Sequence, residues 1–217
     1  MVGGATGHTE DSTPAVVTGA AAISDPLNEP GPTPTNGKCT STSTATSLTG
    51  NIASPSGGVV CFTKAVSLND VTLGTGWYVF ENGVTTNGTI ATGVGGATID
   101  VQSGTFKANT GTVLNLVAPE TSINGLPSGI ALMEPATNHN TITIQKGNAT
   151  GSLTGIIYAP SAQLYLQDSG GDKSGGLSLT TDLIVGTLFD KTATLTVNSY
   201  SLSHPTATPL KAVTLVE

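Results

Sequence analysis

Gly155-Ile-Ile-Tyr-Ala-Pro-Ser-Ala-Gln-Leu-Tyr-Leu-Gln167 contains two kinds of strand in succession. Its first half is a continuous apolar run led by a glycine, the pattern of a strand buried on both faces. Its second half, Gln163-Leu-Tyr-Leu-Gln167, alternates, so one face is buried and the other solvated. Both patterns recur. The glycine-led run returns as Gly76-Trp-Tyr-Val-Phe80 and Gly129-Ile-Ala-Leu-Met133, with Asp182-Leu-Ile-Val185 as a looser copy. The intervals are 53, 26 and 27 residues (76 to 129, 129 to 155, 155 to 182). The first is close to two units, and Gly104-Thr-Phe-Lys107 falls near the place of a missing copy. The alternating run returns as Thr112-Val-Leu-Asn-Leu116, Thr141-Ile-Thr-Ile-Gln145 and Ala193-Thr-Leu-Thr-Val197.

Two strand classes taking turns at a repeating interval predict a solenoid, in which each coil of about 20 to 28 residues lays its strands in parallel on the next. The expected fold is all-β, a right-handed parallel β-helix. Helical periodicity is absent, and the glycine density would cost a helix about 1 kcal/mol per interior position. An antiparallel β-sandwich is the alternative. It needs hairpins, and only Asn82-Gly83 gives a good two-residue hairpin signal; Asn87-Gly88 and Asn124-Gly125 lack matched flanking strands.

Outside the repeats the texture changes. Residues 1–57 carry Pro14, Pro26, Pro30, Pro32, Pro34 and Pro55, with the tract Thr40-Ser-Thr-Ser-Thr-Ala-Thr-Ser47, and read as a loop-rich amino-terminal cap. Residues 58–200 are the β-helix. Residues 201–217 end in the alternating Leu210-Lys-Ala-Val-Thr-Leu-Val-Glu217, which reads as a strand closing the domain.

Composition removes several functions. Of 217 residues only 10% are charged; there are seven lysines, no arginine, and a formal charge of -7, beside 37 threonines and 28 glycines. Nucleic acid and anionic membranes require clustered cations, so neither is an expected partner. No apolar run approaches the length of a transmembrane helix. Met1 is followed by Val-Gly-Gly-Ala-Thr-Gly, without basic residues or an apolar core, so any export signal or anchor is expected upstream.

Cys39 and Cys61 are the only cysteines, too few for a zinc site, and read as a disulfide of an exported chain. Closing that loop is worth about 3 kcal/mol and ties the proline-rich segment to the first coil. The histidines, His8, His139 and His204, stand far apart in loop-like contexts, and no G-x-S-x-G elbow occurs. Asp168-Ser-Gly-Gly-Asp172 offers the oxygens calcium uses but lacks the ladder and distal glutamate of a calcium loop; it reads as a solvated turn. Asp100, Glu120, Glu134 and Asp182 are scattered singly, whereas polysaccharide-cleaving β-helices need grouped carboxylates or cations. No enzyme activity, cofactor or metal is expected.

Two surfaces could bind. Thr141, Thr143, Thr192, Thr194 and Thr196 would form a flat threonine array of the ice-binding kind if they shared a face on successive coils. Trp77, Tyr78 and Phe80 form an aromatic cluster in which alternation sets Trp77 opposite the other two; core packing is the expected role, and a partly exposed Trp77 available for sugar stacking is the alternative.

The order Asp25-Pro-Leu, Pro32-Thr-Pro, Cys39, Val60-Cys-Phe, Gly76-Trp-Tyr-Val-Phe-Glu-Asn-Gly83, Leu114-Asn-Leu-Val-Ala-Pro119, Gly129-Ile-Ala-Leu-Met and Gly155-Ile-Ile-Tyr-Ala-Pro-Ser-Ala162 resembles the carboxy-terminal region of TadG-like proteins of bacterial Tad (Flp) pilus assembly. The likeness covers roughly residues 25–200, and Leu215-Val-Glu217 resembles the natural end of such chains. The resemblance implies a membrane-anchored envelope protein whose exported part accompanies an adhesive pilus, with no catalytic motif to carry over. The expected function is therefore a non-enzymatic structural or adhesion protein, periplasmic or at the cell surface. Its expected partners are pilus or envelope proteins; the rival reading is a solenoid that binds ice or a surface glycan.

Overall fold

A computed structural model describes residues 37–146, 151–168, 177–191 and 195–209. The described strands wind as a parallel β-solenoid whose seven stacked levels are joined by about six full windings. The first turn holds β1 (Ser41–Ser43) and β2 (Ser47–Ile52), the second β3 (Val59–Phe62) and β4 (Val66–Leu73), and the third β5 (Gly76–Phe80) and β6 (Val84–Thr92). The next holds β7 (Ala97–Val101), β8 (Phe106–Ala108) and β9 (Val113–Val117), followed by β10 (Ile130–Met133), β11 (Ile142–Lys146) and β12 (Ser152–Thr154). Then come β13 (Ile156–Asp168) with β14 (Leu177–Thr180), and finally β15 (Leu183–Lys191) with β16 (Leu195–Asn198).

These strands stack into three walls. Wall A is β1, β3, β5, β7, β10 and the first halves of β13 and β15. Wall B is the first halves of β2, β4 and β6, then β8, β11 and the second halves of β13 and β15. Wall C is the second halves of β2, β4 and β6, then β9, β12, β14 and β16. Every pairing between these strands is parallel, which excludes the antiparallel sandwich; the isolated bridge Ile123↔Leu126 is antiparallel.

In the early turns walls B and C are one long strand bent at a corner. Gly50, Asp70 and Gly88 turn that corner with φ of 70°, 49° and 68°, where the register shifts. Asp70 holds the bend by accepting the Thr89 amide at 2.9 Å through Oδ1. This corner consumes the Asn87-Gly88 signal, and Asn82-Gly83 turns the chain from wall A to wall B, so neither makes a hairpin.

Turn length varies more than the repeat intervals implied. Along wall A the steps are 18 residues (60 to 78), 21 (78 to 99), 33 (99 to 132), 25 (133 to 158) and 26 (158 to 184). The copy missing between Gly76 and Gly129 is Ala97–Val101, and Gly104-Thr-Phe-Lys107 instead runs from a corner into wall B. Ala97 to Val101 reads as a strand in the sequence, but Asp100 interrupts its apolar run and hides the likeness to the other copies. The extra length of the 33-residue step is an excursion through 118–129.

One boundary moves. The Ser/Thr tract assigned to the cap supplies β1, and β2 follows it, so the described solenoid begins at Ser41 rather than residue 58. Alternating Ser and Thr fit a pleated strand without an apolar signature. At the other end Tyr200–Ser203 is one turn of helix, α1; the expected closing strand, Leu210 to Glu217, lies outside the described residues. Residues 1–36 and 210–217 lie outside the described residues.

Apolar residues from all three walls fill the interior, among them Leu68, Leu73, Phe80, Ile90, Ile99, Phe106, Leu116 and Leu164. Phe62 and Phe80 stack on consecutive turns at 5.0 Å between ring centres. A second core lies on the outer side of wall A. There Val59, Trp77, Val79, Ile130, Met133, Ile156 and Tyr158 meet Ile123 and Leu126 of the 118–129 excursion and Tyr200 and Ala207 of the carboxy-terminal segment. Wall A is thereby buried on both sides, which is why its strands read as continuous apolar runs.

The leading glycines have a steric reason. At Gly155 φ is 135°, and a Cβ would sit 2.5 Å from the Ala118 methyl; at Gly129 φ is 80°, and a Cβ would sit 2.5 Å from the Ala207 carbonyl oxygen. Cys39 and Cys61 form a disulfide with Cα atoms 5.8 Å apart, joining the segment before β1 to β3. Asp182 fastens the carboxy-terminal segment. Its Oδ1 accepts from Ser199 Oγ at 2.8 Å and its Oδ2 from the Ser201 amide at 2.9 Å, while Ser128 Oγ donates to the Ala207 carbonyl at 2.9 Å.

Candidate functional site

Among the described residues no segment lies over the outer faces of walls B and C, and the pleat decides what those faces present. On wall B register brings outward residues into two files. One runs Ser67, Thr85, Lys107, Thr143, Tyr165 and Phe189. The other is a file of side-chain amides. Asn69 Nδ2 donates to Ser47 Oγ at 3.2 Å, Asn87 Nδ2 to Asn69 Oδ1 at 3.0 Å, and Asn109 Nδ2 to Asn87 Oδ1 at 2.9 Å. Gln145 Nε2 donates to Gln167 Oε1 at 3.4 Å further along. Wall C presents Asn51, Thr72, Ala91, Asn115 and Ser152 in register, followed by the positions of Ser178 and Thr196.

The end of the first file is aromatic. Tyr165 and Phe189 stack with ring centres 5.4 Å apart and planes 26° apart, and Phe189 is 44% exposed. Lys191 Nζ lies 5.4 Å from the Phe189 ring centre. Beside them, where walls A and B meet, His139, Pro160, Ser161, Ala162, Gln163, Gly186 and Thr187 line an open hollow of about 390 Å³.

The residues singled out in the sequence do not gather here. Trp77 is 0% exposed in the second core, so it packs as the aromatic cluster was expected to and offers no sugar-stacking surface; alternation gives exposure only when one side of a sheet is open. The threonine array is not assembled either. Thr143 lies on wall B between Lys107 and Tyr165, with Thr141 just before β11, whereas Thr196 lies on wall C beside Ser178. Thr192 and Thr194 lie outside the described residues, as do His8 and Asp172; Asp168 is the last residue of β13. His139 lines the hollow, and His204 stacks on Tyr200 at 4.4 Å with its Nδ1 2.9 Å from Ser203 Oγ.

The carboxylates are not simply scattered. Asp100 and Glu134 are both fully buried, and burial pushes each up to about 8. Gln102 Nε2 donates to Asp100 Oδ1 at 2.7 Å and offsets part of the shift. For Glu134 the Phe106 backbone amide offsets part, and the Asp100 charge raises it further. Both are protonated at neutral pH, and neither meets solvent, so no substrate reaches them. Among the described residues no three metal-ligating side chains converge, and no helix is long and apolar enough to cross a membrane.

Sequence reasoning missed the aromatic pair and the amide file. Gln163-x-Tyr-x-Gln167 and Thr187-x-Phe-x-Lys191 share one spacing, but Gly186 and Asp190 obscure the second as a strand. Compared with family models, with curated proteins and with solved structures, the chain matches none.

Proposed function

We propose that this chain is a non-enzymatic structural and adhesive module of an exported bacterial envelope assembly, of the kind that likeness to TadG-like proteins of Tad pili implies. The observation that carries the reading is the pair of register-locked outer faces on walls B and C, rich in hydroxyl and amide side chains, with Lys107, Tyr165, Phe189 and Lys191 set among them on wall B. Parallel ladders make such a face stiff, and stiffness lowers the ordering cost of attachment over a broad area. The disulfide suits an oxidising compartment outside the cytoplasm. Partners on this reading are pilus or envelope proteins or the surface to which a cell attaches.

The test uses the disulfide-bonded chain on beads, drawn under flow over glass, plastic and polysaccharide-coated slides. Attachment to at least one surface should exceed that of beads carrying an unrelated β-protein, and should fall when Thr85→Lys and Thr143→Lys put charge on wall B. Equal attachment of the two bead types on every surface would refute the adhesive role.

A further inference from the structure

The two ends of the solenoid are unlike. Among the described residues β15 pairs only with β13 and β16 only with β14, so both present a bare strand edge. The core files are cut off there. Leu164 is fully buried, and Leu188, which continues its file, is 46% exposed; Leu179 is fully buried, and Val197, which continues its file, is 45% exposed. The described chain after β16 does not roof this end, because it runs back along wall A to Ser128 and Gly129, two turns earlier. Of the six exposed large apolar side chains among the described residues, Leu188, Phe189, Val197 and Leu202 belong to the last turn or the helix after it, and none to the first turn.

A bare edge needs hydrogen-bond partners, and cut-off files need apolar cover; a second strand edge with apolar files of its own supplies both. The other edge on the described molecule is that of β1 and β2, and register shows what a head-to-tail stack of copies would bring together. Along wall A Leu183 would fall over Ser41. Along wall B Phe189 would fall over Ser47 and Asp190 over Leu48. Along wall C alone is apolar set on apolar, Val197 near Ile52. Two last turns laid end to end avoid this mismatch, because each offers the other the same apolar files and two-fold symmetry closes the pair. The strands of this end carry one acid and one base, Asp190 and Lys191, in a chain with a formal charge of -7, so like ends do not repel. We propose that the protein forms a two-fold dimer through its carboxy-terminal end. On wall B, β15 of one copy pairs antiparallel with β15 of the other and encloses Leu188. Wall C of each copy lies against wall A of the other, so Val197 meets Leu183 and Val185, while Asp190 and Lys191 fall at the rim.

The dimer does not depend on the adhesive role. The experiment is sedimentation equilibrium of the disulfide-bonded chain between about 1 and 100 µM. The mass should rise from 21.6 kDa to twice that value and stop there. Leu188→Lys and Val197→Lys, each at an exposed position, should weaken association by at least about tenfold and leave the melting temperature in dilute solution unchanged. Thr46→Lys, at an exposed position between β1 and β2, should not weaken it. Hydrogen exchange of the unaltered chain should slow with concentration in β15 and not in β1 or β2, so the test survives a variant that fails to fold. A chain that stays monomeric throughout would overturn the proposal, as would a mass that climbs past two copies in the manner of head-to-tail stacking. Association of both lysine variants at the parental strength, or concentration-dependent protection of β1 and β2 instead of β15, would overturn it equally.

Discussion

Wall A and wall B are built from strands of the same turns, yet one is sealed on both sides and the other on one. Trp77 on wall A and Thr85 on wall B both point away from the solenoid interior. Trp77 is buried in the second core, which the excursion and the carboxy-terminal segment complete, and Thr85 is partly exposed. Position relative to the winding does not decide burial; what the chain lays over the wall afterwards does.

The sharpest way to break that comparison is to truncate the same outward position on each wall. Trp77→Ala should cost about 3 to 5 kcal/mol in urea denaturation, whereas Thr85→Ala should stay within about 0.5 kcal/mol. Similar costs for the two would mean that wall A is not sealed in solution. Next in size is the disulfide, which lies on the sealed side. Removing it as Cys39→Ala with Cys61→Ala should lower stability by about 3 kcal/mol, measured against the oxidised parent.

The buried acids give a pH signature. A carboxyl whose folded pKa is raised to about 8 keeps its proton while the unfolded chain loses it near the ordinary value. The unfolded state therefore binds fewer protons between about pH 4 and 8, and stability falls as pH rises through that window. Asp100→Asn should flatten the fall by more than about 1 kcal/mol, read as melting temperature against pH. A profile unchanged by the substitution would mean that Asp100 reaches water. Smallest is the latch: Asp182→Asn should cost about 1 kcal/mol and speed hydrogen exchange across residues 199–209, leaving wall B exchange unchanged. Uniform acceleration over the whole chain would show the segment to be inseparable from the solenoid.

The solenoid was legible because its two strand classes differ in kind: continuous runs such as Ile156 to Pro160 and alternating ones such as Gln163 to Gln167. The first turn was not, since Ser41–Ser43 has no apolar residue and its pairing with Val60–Phe62 is fixed by a neighbour rather than by its own pattern. That Trp77 packs was legible, but which side it packs on was not. The second core it joins is completed by Ile123, Leu126, Tyr200 and Ala207, residues 46 to 130 positions away (77 to 123, 77 to 207), and no local period encodes that cover. Tyr165 and Phe189 became a pair only through register across a turn of 24 residues (165 to 189).

The asparagine file on wall B has a direction. In each link the nitrogen of a later turn is given to the oxygen of an earlier one, from Asn109 to Asn87 to Asn69 and on to Ser47. Reversing Asn87 alone would set like against like on both sides, because both its neighbours in the row are amides. Three separate side chains therefore share a single orientation, and an aspartate in the middle, able to receive but not to give, would cut the row in two.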